Sequence, residues 1–136
     1  MNNKIAIIIT SVIVIAVVIV VAVMMSTDSN PAAFDIKDGS LVITCSFGTT
    51  VPLSEISSLE FTDTAPDIKT KTNGAGIGSM QKGEYLLADG SKARLYIDTS
   101  ASAFVRFVQG DTVFYLSADS AEATKELFAQ LDAAVN

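Results

Sequence analysis

An unbroken apolar run near the amino terminus limits most strongly what this chain can fold into. The run extends from Ile5 to Met25 and contains no charged residue, no proline and no glycine; only Thr10 and Ser11 in it are polar. As a helix rising about 1.5 Å per residue, these 21 residues would measure about 31 Å, close to the roughly 30 Å hydrocarbon core of a bilayer. The run therefore predicts a transmembrane anchor over residues 5–25.

Other interpretations of this run fit less well. A cleaved signal peptide has an apolar core of about 7–15 residues and small residues at its cleavage site, whereas this run is longer and ends in Val23-Met24-Met25. A helix of this length in a soluble domain would show a polar stripe, whereas this run is apolar on all sides. The flanks, with Lys4 before the run and Asp28 and Asp35 after it, favour a cytoplasmic amino terminus. We therefore expect a single-pass membrane protein whose domain is extracytoplasmic, with a cytoplasmic domain as the alternative.

The rest of the chain is long enough for one domain. Residues 26–33 are small and polar and predict a linker, and residues 34–136 predict a single folded domain. The net charge of −6 disfavours nucleic acid as a partner. The chain has no histidine and a single cysteine, Cys45, which excludes a histidine-based triad and the usual zinc sites. We expect a protein that is not an enzyme and that holds no metal and no cofactor.

Short runs separated by turn residues predict a mainly-β domain. Apolar residues alternate with polar or smaller ones from Leu41 to Phe47, which places Cys45 on the buried face of a strand. Asp38-Gly39 and Asp89-Gly90 predict tight turns. In the strand predicted after the second turn, Lys92, Arg94 and Tyr96 share one face and Ala93, Leu95 and Ile97 share the other. The runs at 104–108 and 112–116 are apolar on both faces and predict a covered or central hairpin.

Residues 62–83, rich in threonine, glycine and lysine, predict a long loop. The glycines at positions 74, 76 and 78 lack the spacing of a dinucleotide-binding motif, and no helical pattern follows them. We therefore expect these glycines to serve a turn and not a nucleotide.

The carboxyl end predicts an amphipathic helix. Asp119 and Glu122 have the spacing of a capping box. One face then carries, at helical spacing, the residues Thr124, Leu127, Phe128, Leu131 and Val135. A helix of this kind is expected to pack on the sheet.

Short motifs between residues 51 and 131 suggest a family. They are Val51–Ile56, Thr72–Gly74, Gly83–Tyr85, Lys92–Tyr96 and Ser102–Phe104, the last lacking the expected prolines. In these motifs the chain resembles the bacterial PH-like (pleckstrin-homology-like) domain family. The resemblance implies a PH-like barrel of about seven or eight antiparallel strands closed by the carboxyl-terminal helix, behind the transmembrane helix, in a bacterial cell membrane. The first turn lacks clustered basic residues, so we expect no phosphoinositide binding.

The anchor and the absence of catalytic groups favour a non-catalytic protein-interaction module at the cell envelope, with an unknown protein partner. The residues expected to contact this partner lie in the predicted loop: Ile68, Lys69, Lys71, Ile77, Met80 and Lys82. The alternative is a sensor domain that holds a small molecule or a peptide near Tyr85, Tyr96 and Tyr115. An enzyme is the remaining possibility, although no carboxylate pair is marked as acid and base.

Overall fold

The computed structural model of the chain describes residues 3–29, 32–45, 47–77 and 79–135, and within these ranges it describes the side chains except at 17–29 and 75–77. The described residues form two α-helices, nine strands and one short 3₁₀ helix at Leu53–Glu55. The helices are α1 (Asn3–Ser29) and α2 (Ala121–Val135). The strands are β1 (Ala33–Lys37), β2 (Ser40–Thr44), β3 (Thr49–Pro52), β4 (Ser57–Thr62), β5 (Ile68–Ile77), β6 (Met80–Leu87), β7 (Lys92–Asp98), β8 (Phe104–Gln109) and β9 (Thr112–Leu116).

The strands form two sheets. One sheet has the order β1-β2-β3, and the other has the order β4-β8-β9-β7-β6-β5. The turn between β1 and β2 consists of Asp38 and Gly39, both with positive φ, at 54° and 74°. This is the backbone of a two-residue hairpin turn, for which Asp-Gly is a preferred pair. The predicted tight turn is therefore confirmed.

The predicted closed barrel of seven or eight antiparallel strands is wrong. In the described part of the chain, the two sheets are separate, and β4 and β5 at the two ends of the larger sheet do not pair with each other. β7 and β9 run parallel, in a register that starts at Lys92 opposite Thr112. The chain reverses once between β7 and β8 and again in the β8–β9 hairpin, so β9 runs parallel to β7 and lies between β7 and β8.

The predicted transmembrane anchor is also contradicted. Within the described part of the chain, no helix is both long enough and apolar enough to cross a membrane. This finding corrects the predicted span over residues 5–25. The predicted single-pass cell-membrane location, with its cytoplasmic amino terminus and extracytoplasmic domain, is corrected with it.

The predicted loop over residues 62–83 is wrong for most of its length, because it contains β5 and the first part of β6. The register of this hairpin shifts between Ile68 and Thr70 and again between Lys71 and Asn73. These irregularities interrupt the two-residue period by which a strand is recognised in a sequence.

Gly83 has a φ of 128°, and an added Cβ would lie 2.5 Å from the Asn73 carbonyl oxygen. Glycine is needed here for close approach of the two strands.

The larger sheet carries a hydrophobic cluster on each face. The alternation of β7 shows this, since Leu95 and Ile97 belong to one cluster and Tyr96 to the other. The first core joins one face to the smaller sheet and to α2, and includes Leu41, Ile43, Val51, Tyr96, Val105, Phe107, Phe114, Leu116, Leu127 and Leu131. The second core lies on the opposite face and contains Tyr85, Leu87, Ala93, Leu95, Ile97 and Phe104. Cys45 follows β2 and lies half-buried against the first core.

The carboxyl-terminal helix is confirmed, but its cap differs from the prediction. Thr124, Leu127 and Leu131 are buried on the predicted face. The side-chain oxygen of Ser120 accepts a hydrogen bond of 3.1 Å from the Ala123 backbone N–H. This is the contact of a helix N-cap, so Ser120 caps α2 at the position next to the predicted Asp119.

Candidate partner-binding site

The structure separates the residues that were predicted to contact a partner. Lys69 and Lys71 are exposed on β5, and Ile68 is half-buried against the second core. Met80 and Lys82 are buried in β6, with exposed fractions of 6% and 1%. The side chain of Ile77 lies outside the described residues. Of the predicted contact surface, Lys69 and Lys71 are therefore accessible, whereas Met80 and Lys82 are not.

β5 forms one edge of the larger sheet. It has ten residues, and among the described strands it pairs with β6 alone. All five residues from Lys69 to Asn73 are exposed. α1 lies near β5 and β6, but the exposure at 69–73 shows that it leaves this part of the edge uncovered. The open edge thus offers backbone N–H and C=O groups to another strand.

A cleft of about 420 Å³ adjoins this edge. It is lined by residues of four consecutive strands of the sheet: Thr72 on β5, Glu84, Tyr85 and Leu86 on β6, Lys92, Ala93 and Arg94 on β7, and Thr112 on β9. The cleft spans three interstrand spacings, or about 14 Å at about 4.8 Å each. Its volume is within the range of about 300–1,000 Å³ that is usual for ligand-binding clefts.

Arg94 is the most strongly oriented side chain of the cleft. Its Nη2 donates to Glu84 Oε1 at 2.8 Å, and its Nη1 donates to Tyr96 Oη at 3.3 Å. Tyr96 Oη in turn donates to the carbonyl oxygen of Phe47 at 2.7 Å, in the segment between β2 and β3. Burial raises the pKa of Tyr96 above its ordinary value of 10.0, so this hydroxyl keeps its proton at neutral pH. The chain of contacts fixes the guanidinium while its side chain stays 30% exposed.

Positive charge is concentrated around the cleft and the β5 edge. Lys69 and Lys71 lie on β5, while Lys92 and Arg94 lie in the cleft. Lys92 contacts Asp111 at 3.6 Å, but both side chains are more than 70% exposed. An ion pair this exposed contributes at most about 1 kcal/mol. The site is therefore a locally basic region of a chain whose net charge is −6.

The three tyrosines of the predicted sensor site are not assembled into one site. Tyr96 belongs to the first core, whereas Tyr85 belongs to the second core and Tyr115 packs against it, on the opposite face of the sheet. The Tyr85 hydroxyl donates to Gln81 Oε1 at 2.7 Å, and burial raises the pKa of Tyr85. The sensor alternative stays a prediction, but it loses the common pocket on which it depended.

Within the described residues, no group of three or more histidine, cysteine, aspartate or glutamate side chains could hold a metal ion. That the chain has no cofactor and is not an enzyme stays a prediction.

Comparison with protein-family models, curated protein sequences and solved structures finds no match. The resemblance to the bacterial PH-like domain family is accordingly neither supported nor opposed by relatives and also stays a prediction.

Sequence reasoning missed the residues that make the cleft. The alternation of β7 correctly placed Lys92 and Arg94 on one face, but it did not indicate which strands lie beside them. Glu84 faces Arg94 because β6 pairs with β7, and Thr112 faces Lys92 because β9 is inserted in parallel. The Asp-Gly turn at 89–90 could have indicated the first of these pairings. No local signal marks the second.

Proposed function

We propose that this chain is a non-catalytic protein-interaction module that takes an extended segment of another protein as an added strand on β5. The observation that carries the proposal is the ten-residue edge strand, exposed from Lys69 to Asn73. Strand addition supplies affinity through main-chain hydrogen bonds, and the side chains beside the edge supply specificity.

The other sheet edges are less suited to this role. β4 at the opposite edge has six residues, its register shifts between Ser57 and Glu60, and Ser58 there has a φ of 53°. α2 also lies against β4. The edge strands of the smaller sheet, β1 and β3, have five and four residues. β5 is therefore the longest edge strand among those described.

The charges on β5 favour a partner other than a second copy of this chain. If two copies paired antiparallel with the pairing centred on Thr70, Lys69 of each copy would face Lys71 of the other. Like charges on directly opposite residues destabilise a strand pair. Edge lysines and bulges are also a common protection against such self-pairing. A heterologous segment avoids this repulsion.

Hydrogen exchange of the full chain tests the proposal. The probes are peptides matched to the length of β5 that alternate threonine with glutamate, with glutamine or with lysine. We expect at least one probe to slow exchange of the amide protons in β5 between residues 68 and 73, with β4 unchanged. The matched control is the same peptide with N-methylated backbone, which retains the side chains but lacks the donors needed for pairing.

Two outcomes would overturn strand addition. One is the absence of slowed exchange in β5 with every probe at saturating concentration. The other is equal slowing by the normal and the N-methylated peptide, since that would show binding through side chains alone. Exchanging both Lys69 and Lys71 for glutamate should leave the unfolding temperature unchanged, because both side chains are exposed. Lys37→Glu, at an exposed position on β1, is the matched control for the effect of charge reversal on stability.

A further inference from the structure

The basic region next to β5 indicates what kind of segment would bind there. Resting on the proposed function, we infer that the bound segment is acidic and that the cleft holds its carboxylates through Arg94 and Lys92. The partner is then an extended peptide rich in aspartate or glutamate. Its binding site continues from the strand edge onto the adjoining face of the sheet.

The path from the edge to the cleft begins at Thr72. The register of β5 shifts between Lys71 and Asn73, so Thr72 lies in an irregularity of the strand, and it lines the cleft. A bulge interrupts strand pairing and redirects the side chain at that position. A segment paired with residues 68–71 therefore leaves the edge beside the mouth of the cleft. At about 3.4 Å per residue, the roughly 14 Å length of the cleft accommodates about four extended residues.

Arg94 is prepared to bind a carboxylate. Its contacts with Glu84 and Tyr96 hold the planar guanidinium in one orientation, and the side chain is still 30% exposed. A guanidinium carries more N–H donors than these two contacts use, and its fork matches the geometry of a carboxylate. The orientation is established before binding, so little side-chain entropy is lost when a ligand arrives.

Lys92 supplies a second, adaptable charge. Its contact with Asp111 is 3.6 Å long between side chains that are 74% and 79% exposed. Breaking such an exposed ion pair costs at most about 1 kcal/mol. The ammonium group can therefore turn toward a ligand carboxylate in the cleft. Lys92 and Thr112 are cross-strand partners, and the Thr112 hydroxyl donates to Asp111 Oδ1 at 3.3 Å, which holds the carboxylate beside Lys92.

The net charge of the chain does not prevent an acidic segment from binding. At physiological ionic strength, exposed charges separated by more than about 8 Å are largely screened. The acids of α2, Glu122, Glu126 and Asp132, lie on an element that packs on the β8 and β4 side of the sheet, away from β5. The nearby charges decide the interaction. The four cations of the edge and the cleft, Lys69, Lys71, Lys92 and Arg94, outnumber the two carboxylates that contact them, Glu84 and Asp111.

Fluorescence anisotropy with the labelled glutamate and glutamine peptides tests the inference on the full chain. We expect the glutamate peptide to bind about tenfold more tightly than the glutamine peptide, as for charge-assisted hydrogen bonds. Arg94→Gln should remove most of this preference, and Arg94→Lys should remove part of it because lysine keeps the charge but not the fork. Lys92→Gln should lower the affinity for the glutamate peptide about threefold.

A matched control lies in the same sheet. Arg106 pairs with Glu60 at 3.6 Å, and its side chain is 28% exposed, much like that of Arg94, but it is near the β4 edge. Arg106→Gln should not change the affinity of either peptide. Circular dichroism of each variant verifies that the fold is retained.

The outcomes separate the inference from the function on which it rests. If the glutamine peptide slows exchange in β5 as strongly as the glutamate peptide and binds as tightly, strand addition stands and the acidic preference is refuted. If the preference persists in both Arg94→Gln and Lys92→Gln, the cleft is not its source. If no peptide slows exchange in β5, the proposed function itself fails.

Discussion

Replacing Tyr96 by phenylalanine should destabilise the protein by removing a single buried hydroxyl group. Tyr96 is fully buried, and its hydroxyl donates to the Phe47 carbonyl oxygen at 2.7 Å and accepts from Arg94 at 3.3 Å. Phenylalanine retains the ring, so no large cavity forms. The free-energy change is then dominated by the carbonyl oxygen that loses its donor, which costs about 1–3 kcal/mol. We expect a loss of about 2 kcal/mol in the free energy of unfolding.

Urea unfolding followed by circular dichroism measures this change. The control is Tyr115→Phe, because among the described residues the Tyr115 hydroxyl makes no hydrogen bond and its ring instead faces Arg106 at 5.9 Å. A substitution of this kind should stay within about 0.5 kcal/mol. An equal effect of the two substitutions would refute the reasoning, since it would show that the contact with Phe47 does not stabilise the junction of the two sheets.

The same hydroxyl gives a dependence on pH. Burial raises the pKa of Tyr96 in the folded protein above its ordinary value of 10.0, which the unfolded chain is expected to retain. The folded state therefore binds more protons than the unfolded state once the pH exceeds about 10. Stability is complete below that pH and falls as the pH rises through the folded pKa. In Tyr96→Phe this fall should be shallower, although Tyr85, whose pKa is also raised by burial, still contributes.

Two further predictions concern Gly83 and the N-cap of α2. Gly83→Ala should lower the free energy of unfolding by more than about 2 kcal/mol, because φ is 128° and the new Cβ would lie 2.5 Å from Asn73. Gly39→Ala is its control, since φ is 74° but no atom lies within 4 Å of the new Cβ, and it should cost about 1–2 kcal/mol in the same urea experiment. Ser120→Ala should lower the stability by about 1 kcal/mol through loss of the N-cap, which thermal unfolding detects. Asp119→Ala should change it by less than about 0.5 kcal/mol, and the opposite ranking of this pair would restore Asp119 as the cap.

The comparison of prediction and structure shows which patterns are reliable in this chain. The hairpin turn at Asp38-Gly39 and the buried face of α2 were predicted correctly, because both depend on residues that are close in sequence. The hairpin of β5 and β6 was mistaken for a loop. Bulges interrupted its alternation, and Gly74, which was assigned to a turn, instead permits close approach of its strand to Lys82 on β6.

Tyr96 illustrates the limit of alternation within a correctly predicted strand. The two-residue period placed Lys92, Arg94 and Tyr96 on one polar face. In the structure, this face is exposed at Lys92, half-buried at Arg94 and fully buried at Tyr96. Burial increases along the strand because the segment that carries Phe47 covers only one end of the face. Alternation shows which side chains share a face of the strand, whereas the burial of that face depends on residues that are distant in the sequence.

The sequence by itself determined the local elements of this protein: the strand periodicity of β2 and β7, the central hairpin of β8 and β9, the turn after β1 and the helix α2. Each depends on dihedral preferences and on side-chain spacing within a few residues. Only the tertiary structure decided that β9 lies parallel beside β7, that the larger sheet stays open at β5, and that Glu84 meets Arg94. Strand partners are chosen by the faces that bury one another across long separations in sequence, and this choice leaves no pattern within any one segment.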